Sequence, residues 1–274
     1  MKLDRPRLRR VPFERGAHLF IHQDGITRGS YAALRYELNA VQREFSSRKA
    51  IRRCGRNSHD CGSAFCEVCS VARASQLRRD LMARLSPVRF GTVLVWTATV
   101  ASTPSAALGP LRADLVRVIQ ATTAGGWLKR RGVIGTARVI EPKLSLSGWH
   151  PHAHTMLVFR TKLASEEIEK FVADLIDRSL DKAVALGITT SYKGQDARSF
   201  IPSEAVDYLT KEAVRPGGQD AGSVLWHRIS RGDSDALDLV HELEAGMFRA
   251  RAIVTTGVLA PPLDFDDLIA RGRI

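Results

Sequence analysis

Apolar residues along the chain recur every three or four positions in some stretches and every second position in others, a contrast that separates helices from strands. Leu34, Leu38, Val41 and Phe45 keep the helical spacing, predicting a basic helix over 31–45. A second helix is predicted over 71–85, with Leu77, Leu81 and Leu85 on one side and arginines on the other. Residues 91–100 are β-branched and aromatic and read as a strand that puts Val93, Val95, Thr97 and Thr99 on one face. A helix over 110–129 follows, striped by Leu111, Leu115, Val118 and Ile119, then a strand over 133–141. Pro142 to Gly148 reads as a loop, and 149–159 as the returning strand of a hairpin. The clearest amphipathic helix is 165–186, with Ile168, Phe171, Val172, Leu175, Ile176 and Leu180 as its stripe, Ser165 as N-cap and Gly187 past its end. A short strand over 188–192, a loop to Pro202 and a helix opening on an N-cap Ser203 complete this region.

The strand after Gly148 reads Trp149-His150-Pro151-His152-Ala153-His154, and the period of two places His150, His152 and His154 on one face. One histidine in an apolar strand reads as core. Three would each need their own partners in a half-buried sheet, whereas one divalent cation binds two or three imidazoles together. Metal binding is therefore preferred over a packed histidine cluster. Glu141, at the end of the preceding strand, would complete a two-histidine, one-carboxylate site suited to a hard divalent ion; its bland reading is a solvated loop carboxylate. On the helix from Ser203, Glu204, Tyr208 and Lys211 share a face at i, i+4 and i+7. That row reads either as a nucleophile with a proton acceptor and a charge stabiliser, or as a surface Glu-Lys helix with a tyrosine lying along it.

All four cysteines lie within sixteen residues, as Cys54, Cys61, Cys66 and Cys69. No apolar run approaches the roughly 18 residues of a membrane span and no signal peptide is evident, so a cytoplasmic protein without membrane association is expected. In that compartment the cluster reads as thiolate ligands of a structural zinc, with His59 able to replace one cysteine and unligated or redox cysteines as the alternative. The 41 Lys and Arg against 29 Asp and Glu give a net charge of +12, which favours a polyanionic partner, nucleic acid first. The division expected is a basic N-terminal region with the zinc module (1–86), a main domain (87–260) and a tail (261–274).

Thr97-Ala98-Thr99 on a strand, the Gly-Trp-His-Pro-His-Ala-His strand, and Tyr208-Leu-Thr-Lys211 on a helix occur in the order and spacing of three motifs of HUH endonucleases. The chain most resembles plasmid rolling-circle replication initiator (Rep) proteins, and the cysteine cluster and the 226–257 segment extend the likeness across residues 54–259. The resemblance implies an α+β fold in which a central antiparallel sheet is flanked by helices. It implies that His152 and His154 bind Mg²⁺ or Mn²⁺ with a third ligand, Glu141 or alternatively His150. Tyr208 would attack an origin phosphodiester in single-stranded or extruded DNA, leaving a 5′-phosphotyrosine and a 3′-OH that primes synthesis. Lys211 would stabilise charge, and Glu204, or failing it Asp207, would activate water for a second cleavage. No Gly-x4-Gly-Lys-Ser/Thr loop is present, so strand separation falls to a host helicase and extension to a host polymerase. The alternatives are an HUH transposase or relaxase, and a zinc-stabilised DNA-binding regulator without chemistry.

Overall fold

The computed structural model describes residues 38–54, 61, 66, 69–88, 91–145, 148–214, 221–247 and 253–261. Helix α1 covers described residues 38–45 and the short α2 Lys49–Arg52. They are followed by α3 (Cys69–Leu85), β1 (Val93–Thr99), α4 (Leu108–Thr123), α5 (Trp127–Arg130), β2 (Val133–Ser145) and β3 (Gly148–Phe159). The remainder is α6 (Ser165–Ala185), β4 (Gln195–Phe200), α7 (Pro202–Val214), α8 (Ala221–Ser230), α9 (Asp235–Gly246) and β5 (Val254–Gly257).

The five strands form one antiparallel sheet in the order β4-β1-β3-β2-β5, with β3 at its centre. Alternation along the central strands divides the core in two. Leu94, Trp96 and Ala98 of β1 and Trp149, Ala153, Leu157 and Phe159 of β3 pack with α1, α4, α6, α8 and α9 on one face. Val93, Val95, Met156 and Val158 point the other way, onto Leu81 and Leu85 of α3 and Ala205, Val206 and Leu209 of α7. The fold is thus α+β, an antiparallel sheet between two helical layers. Among the described residues no helix is long and apolar enough to cross a membrane.

Five elements differ from the sequence expectation. The helix expected over 110–129 breaks at Gly125 and Gly126, whose φ values of 68° and 67° lie in the left-handed region that glycine alone enters without strain. Strand β2 does not stop at Glu141 but runs through Pro142 to Ser145. Pro142 faces Pro151 in register, a pair in which neither residue can donate to the ladder. Both are tolerated because their other neighbours have ended: β5 pairs only residues 135–138 of β2, and β1 pairs β3 no further than His152. The strand expected over 188–192 instead forms at 195–200, after a 3₁₀ turn at Tyr192–Gly194; as an edge strand it is partly exposed on both faces and lacks apolar alternation. Finally, Ser165 and Ser203 are not N-caps. Ala164 caps α6, its N–H donating to Glu167 Oε2 at 2.8 Å, and α7 opens on Pro202, whose missing donor costs nothing at a first helical position.

The segments flanking the cysteines share the cores of the sheet. Leu38 of α1 belongs to one core and Leu81 and Leu85 of α3 to the other. Glu244 of α9, 3% exposed, accepts from the hydroxyls of Ser46 and Ser47 and, at 2.9 Å, from the Ser47 N–H. Truncating it leaves the buried Ser46 hydroxyl without its acceptor and removes two bonds from the exposed Ser47, so Glu244→Ala should cost roughly 2 kcal/mol, measured as a fall in the urea midpoint with an unchanged slope.

Candidate functional site

The even positions of β3 carry the histidines onto the α3/α7 face, continuing the row of Val158 and Met156. Pairing with β2 then sets Glu141 directly opposite His152, Val139 opposite His154 and Lys143 opposite His150. Glu141, His152 and His154 bring ligand atoms within 4.8 Å of one another. His150 is not in that group and stands one pair further out, beside Lys143.

His154 is held at both ring nitrogens. Its Nε2 meets Glu141 Oε2 at 2.9 Å and its Nδ1 meets the Thr97 hydroxyl of β1 at 2.9 Å. Thr97 faces His154 in the β1–β3 register, so the hydroxyl fixes the plane of the imidazole from behind while Nε2 points at the carboxylate. Both Glu141 and His154 are 4% exposed. His152 is less enclosed. Burial pushes its pKa down to about 4 from 6.5, helped by the nearby charge of Lys143, against the opposing pull of Glu141. It is therefore a neutral imidazole at physiological pH, the protonation state a metal requires. Two imidazoles and one carboxylate fit a divalent cation. These three residues could hold such an ion; the donor set does not distinguish Mg²⁺ from Mn²⁺ or others.

Tyr208 reaches the same face from α7. The helix follows β4 with only Ile201 between them, and Ala205, Val206 and Leu209 bury its inner side. This sets the Tyr208 ring edge-on against His154, centroids 5.1 Å apart at 89°, with Phe200 at 5.4 Å on its other side. Glu204, one turn earlier, is exposed. Asp207 turns away to α3, where Arg78 Nε donates to it at 2.6 Å. That pairing occupies the fallback carboxylate and leaves Glu204 as the open one. The side chain of Lys211, and His59 altogether, lie outside the described residues. Thr97 stands in the sequence as part of the Thr97-Ala98-Thr99 motif but without a role at the site, and Lys143 is not singled out at all; their period-two positions say nothing of the partner until strand pairing is known.

The second cluster joins Cys54, Cys61, Cys66 and Cys69, whose sulfurs also lie within 4.8 Å of one another. None forms a disulfide. The Cys54 and Cys69 sulfurs are 3.1 Å apart and those of Cys61 and Cys69 3.7 Å, against edges of about 3.8 Å for a tetrahedron of ~2.3 Å zinc–sulfur bonds. Burial pushes the Cys54 thiol up, but hydrogen bonds from the Cys61 backbone and from the other thiols outweigh it and lower its pKa. Gln42 Nε2 donates to Cys66 Sγ at 3.3 Å. The cluster could hold a metal ion through four thiolates, a set that suits zinc.

Removing a ligand by His152→Ala should weaken Mn²⁺ binding in calorimetry by more than about 100-fold, while Thr97→Val, which only frees the ring of His154, should weaken it by about 10-fold. The depressed His152 pKa has a consequence for the chain kept metal-free with chelator. Between pH 6.5 and about 4 the unfolded chain takes up a proton that the folded chain refuses, so the thermal midpoint should fall as pH drops through that window. His152→Gln should flatten that part of the profile. Comparison of the chain with family models, curated proteins and solved structures gave no match.

Proposed function

We propose that the chain is an HUH-type endonuclease that nicks one strand of a plasmid origin and starts rolling-circle replication. The observation that carries this reading is the Tyr208 ring standing edge-on to His154, itself one of three residues grouped as a metal site on the same sheet face. A phenol is a weak nucleophile at its ordinary pKa of about 10, and the chemistry requires charge to be drawn from the phosphate beside it. A divalent ion bound by Glu141, His152 and His154 supplies that polarisation.

In this reading single-stranded DNA lies across the face with its scissile phosphate near the ligand group. The Tyr208 oxygen bonds to phosphorus and the bond from phosphorus to the 3′ oxygen breaks. The phenol proton passes to water and the 3′ oxygen takes a proton back, so the step is a transesterification without net loss of a phosphoester. It leaves a 5′-phosphotyrosine and a 3′-OH that a host polymerase extends once a host helicase separates the strands. Lys211, one turn after Tyr208, adds positive charge, and Glu204 takes the proton of a water in the terminating cleavage. The net charge of +12 supports attraction to the DNA backbone. The four cysteines serve a structural zinc, and the setting is the bacterial cytoplasm.

The test is a pool of single-stranded oligonucleotides, randomised at the centre, labelled at the 3′ end and incubated with the full chain and Mn²⁺. A labelled band that survives denaturing electrophoresis at the mass of protein plus DNA is expected from wild type. It should be absent from Tyr208→Phe and lost from His152→Ala. No adduct with wild type, or an adduct that persists in Tyr208→Phe, sinks the reading.

A further inference from the structure

The ligand group alone leaves the charge of such a transfer unbalanced. A divalent ion with Glu141 and two neutral imidazoles keeps one net positive charge, which the phosphodiester already cancels. The entering phenolate adds a further negative charge, and a preorganised cation at the phosphate is the usual answer.

Lys143 is placed for that task. It lies on β2 two residues beyond Glu141 and therefore on the same face, opposite His150. Its Nζ is 3.6 Å from Glu141 Oε1, and its side chain is 39% exposed where that of Glu141 is 3%. One end of the pair is thus sealed among the ligands and the other opens to solvent, where a DNA strand would arrive. Resting on the nickase reading above, we propose that Lys143 is a catalytic residue whose ammonium contacts a non-bridging oxygen of the scissile phosphate. In the metal-free chain the ammonium pairs with the carboxylate. A cation at Glu141 repels it, and the incoming phosphate is the nearest new anion. The ammonium stabilises the charge that builds as the Tyr208–phosphorus bond forms and the bond to the 3′ oxygen breaks. The contact comes from the β2 side of the site, and so is separate from anything contributed by Lys211 on α7.

The experiment compares wild type, Lys143→Met and Lys143→Arg as full chains. Each is given Mn²⁺ and one intact oligonucleotide of defined sequence, chosen from the randomised pool because wild type converts it to adduct. At saturating DNA and Mn²⁺, Lys143→Met should form adduct about 100-fold more slowly than wild type. Its Mn²⁺ affinity by calorimetry should match or exceed wild type, since no ammonium then competes for Glu141, its thermal midpoint should stay close to wild type, and Lys143→Arg should recover most of the rate. A methionine variant as fast as wild type overturns the inference. So does a slowing matched by an equal loss of Mn²⁺ affinity, since Lys143 would then only position Glu141, and so does an arginine variant as slow as methionine. Those outcomes leave the nickase reading standing; absence of an adduct from wild type removes both.

Discussion

Everything at the candidate site depends on the pairing register of β2 with β3. It sets Glu141 opposite His152 and within reach of His154, while the register of β1 with β3 sets Thr97 opposite His154. Side chains alternate with a period of two, so the strand that lifts the histidines onto one face must sink Trp149, Ala153 and Leu157 into the core on the other. A slip of one residue would bury the imidazoles and expose the tryptophan. The hydrophobic core on the opposite face of β3 is what holds these side chains in place.

The cysteine cluster ties the two helical layers at one end. The α1–α2 segment before it rests on α9 through Glu244 and on the core through Leu38, whereas Cys69 is the first residue of α3, which packs beneath α7. The cluster therefore sits at the junction between the layer behind the sheet and the layer that carries Tyr208. Arg78 to Asp207 is a further link from α3 to α7, one residue from the tyrosine, though as an exposed pair it contributes orientation more than stability.

Much of this was legible in the residues. The period-two histidines and the helical stripes of 165–185 and 202–214 announce their elements because burial on one face leaves an apolar signature. β4 did not, because past the buried Gln195 it is an edge strand with exposed polar side chains on both faces, and pattern reading depends on one face being dry. β2 was cut short at Pro142 because a proline weighs against a strand interior; only the paired position of Pro151 and the early end of β5 explain its survival. Glu141 was recognised by proximity, but its place opposite His152 is a matter of register. Thr97 and Lys143 acquire their roles from neighbours on other strands, and no local pattern encodes a cross-strand neighbour. The contact between Tyr208 and His154 likewise needs the strand order, since β4 delivers α7 from two strands away.

The site also has a temporal structure. Glu141 and His154 are separated by 13 positions along one hairpin, so bringing them together closes a short loop at small entropic cost. Tyr208 can meet His154 only after α6 has been laid down and β4 has added to the far side of β1, a long-range closure that contributes to slow folding. As the chain leaves the ribosome, the three residues that could hold an ion emerge together and Tyr208 some fifty residues later. A chain interrupted between β3 and α7 would carry Glu141, His152 and His154 but not the ring that stands against them.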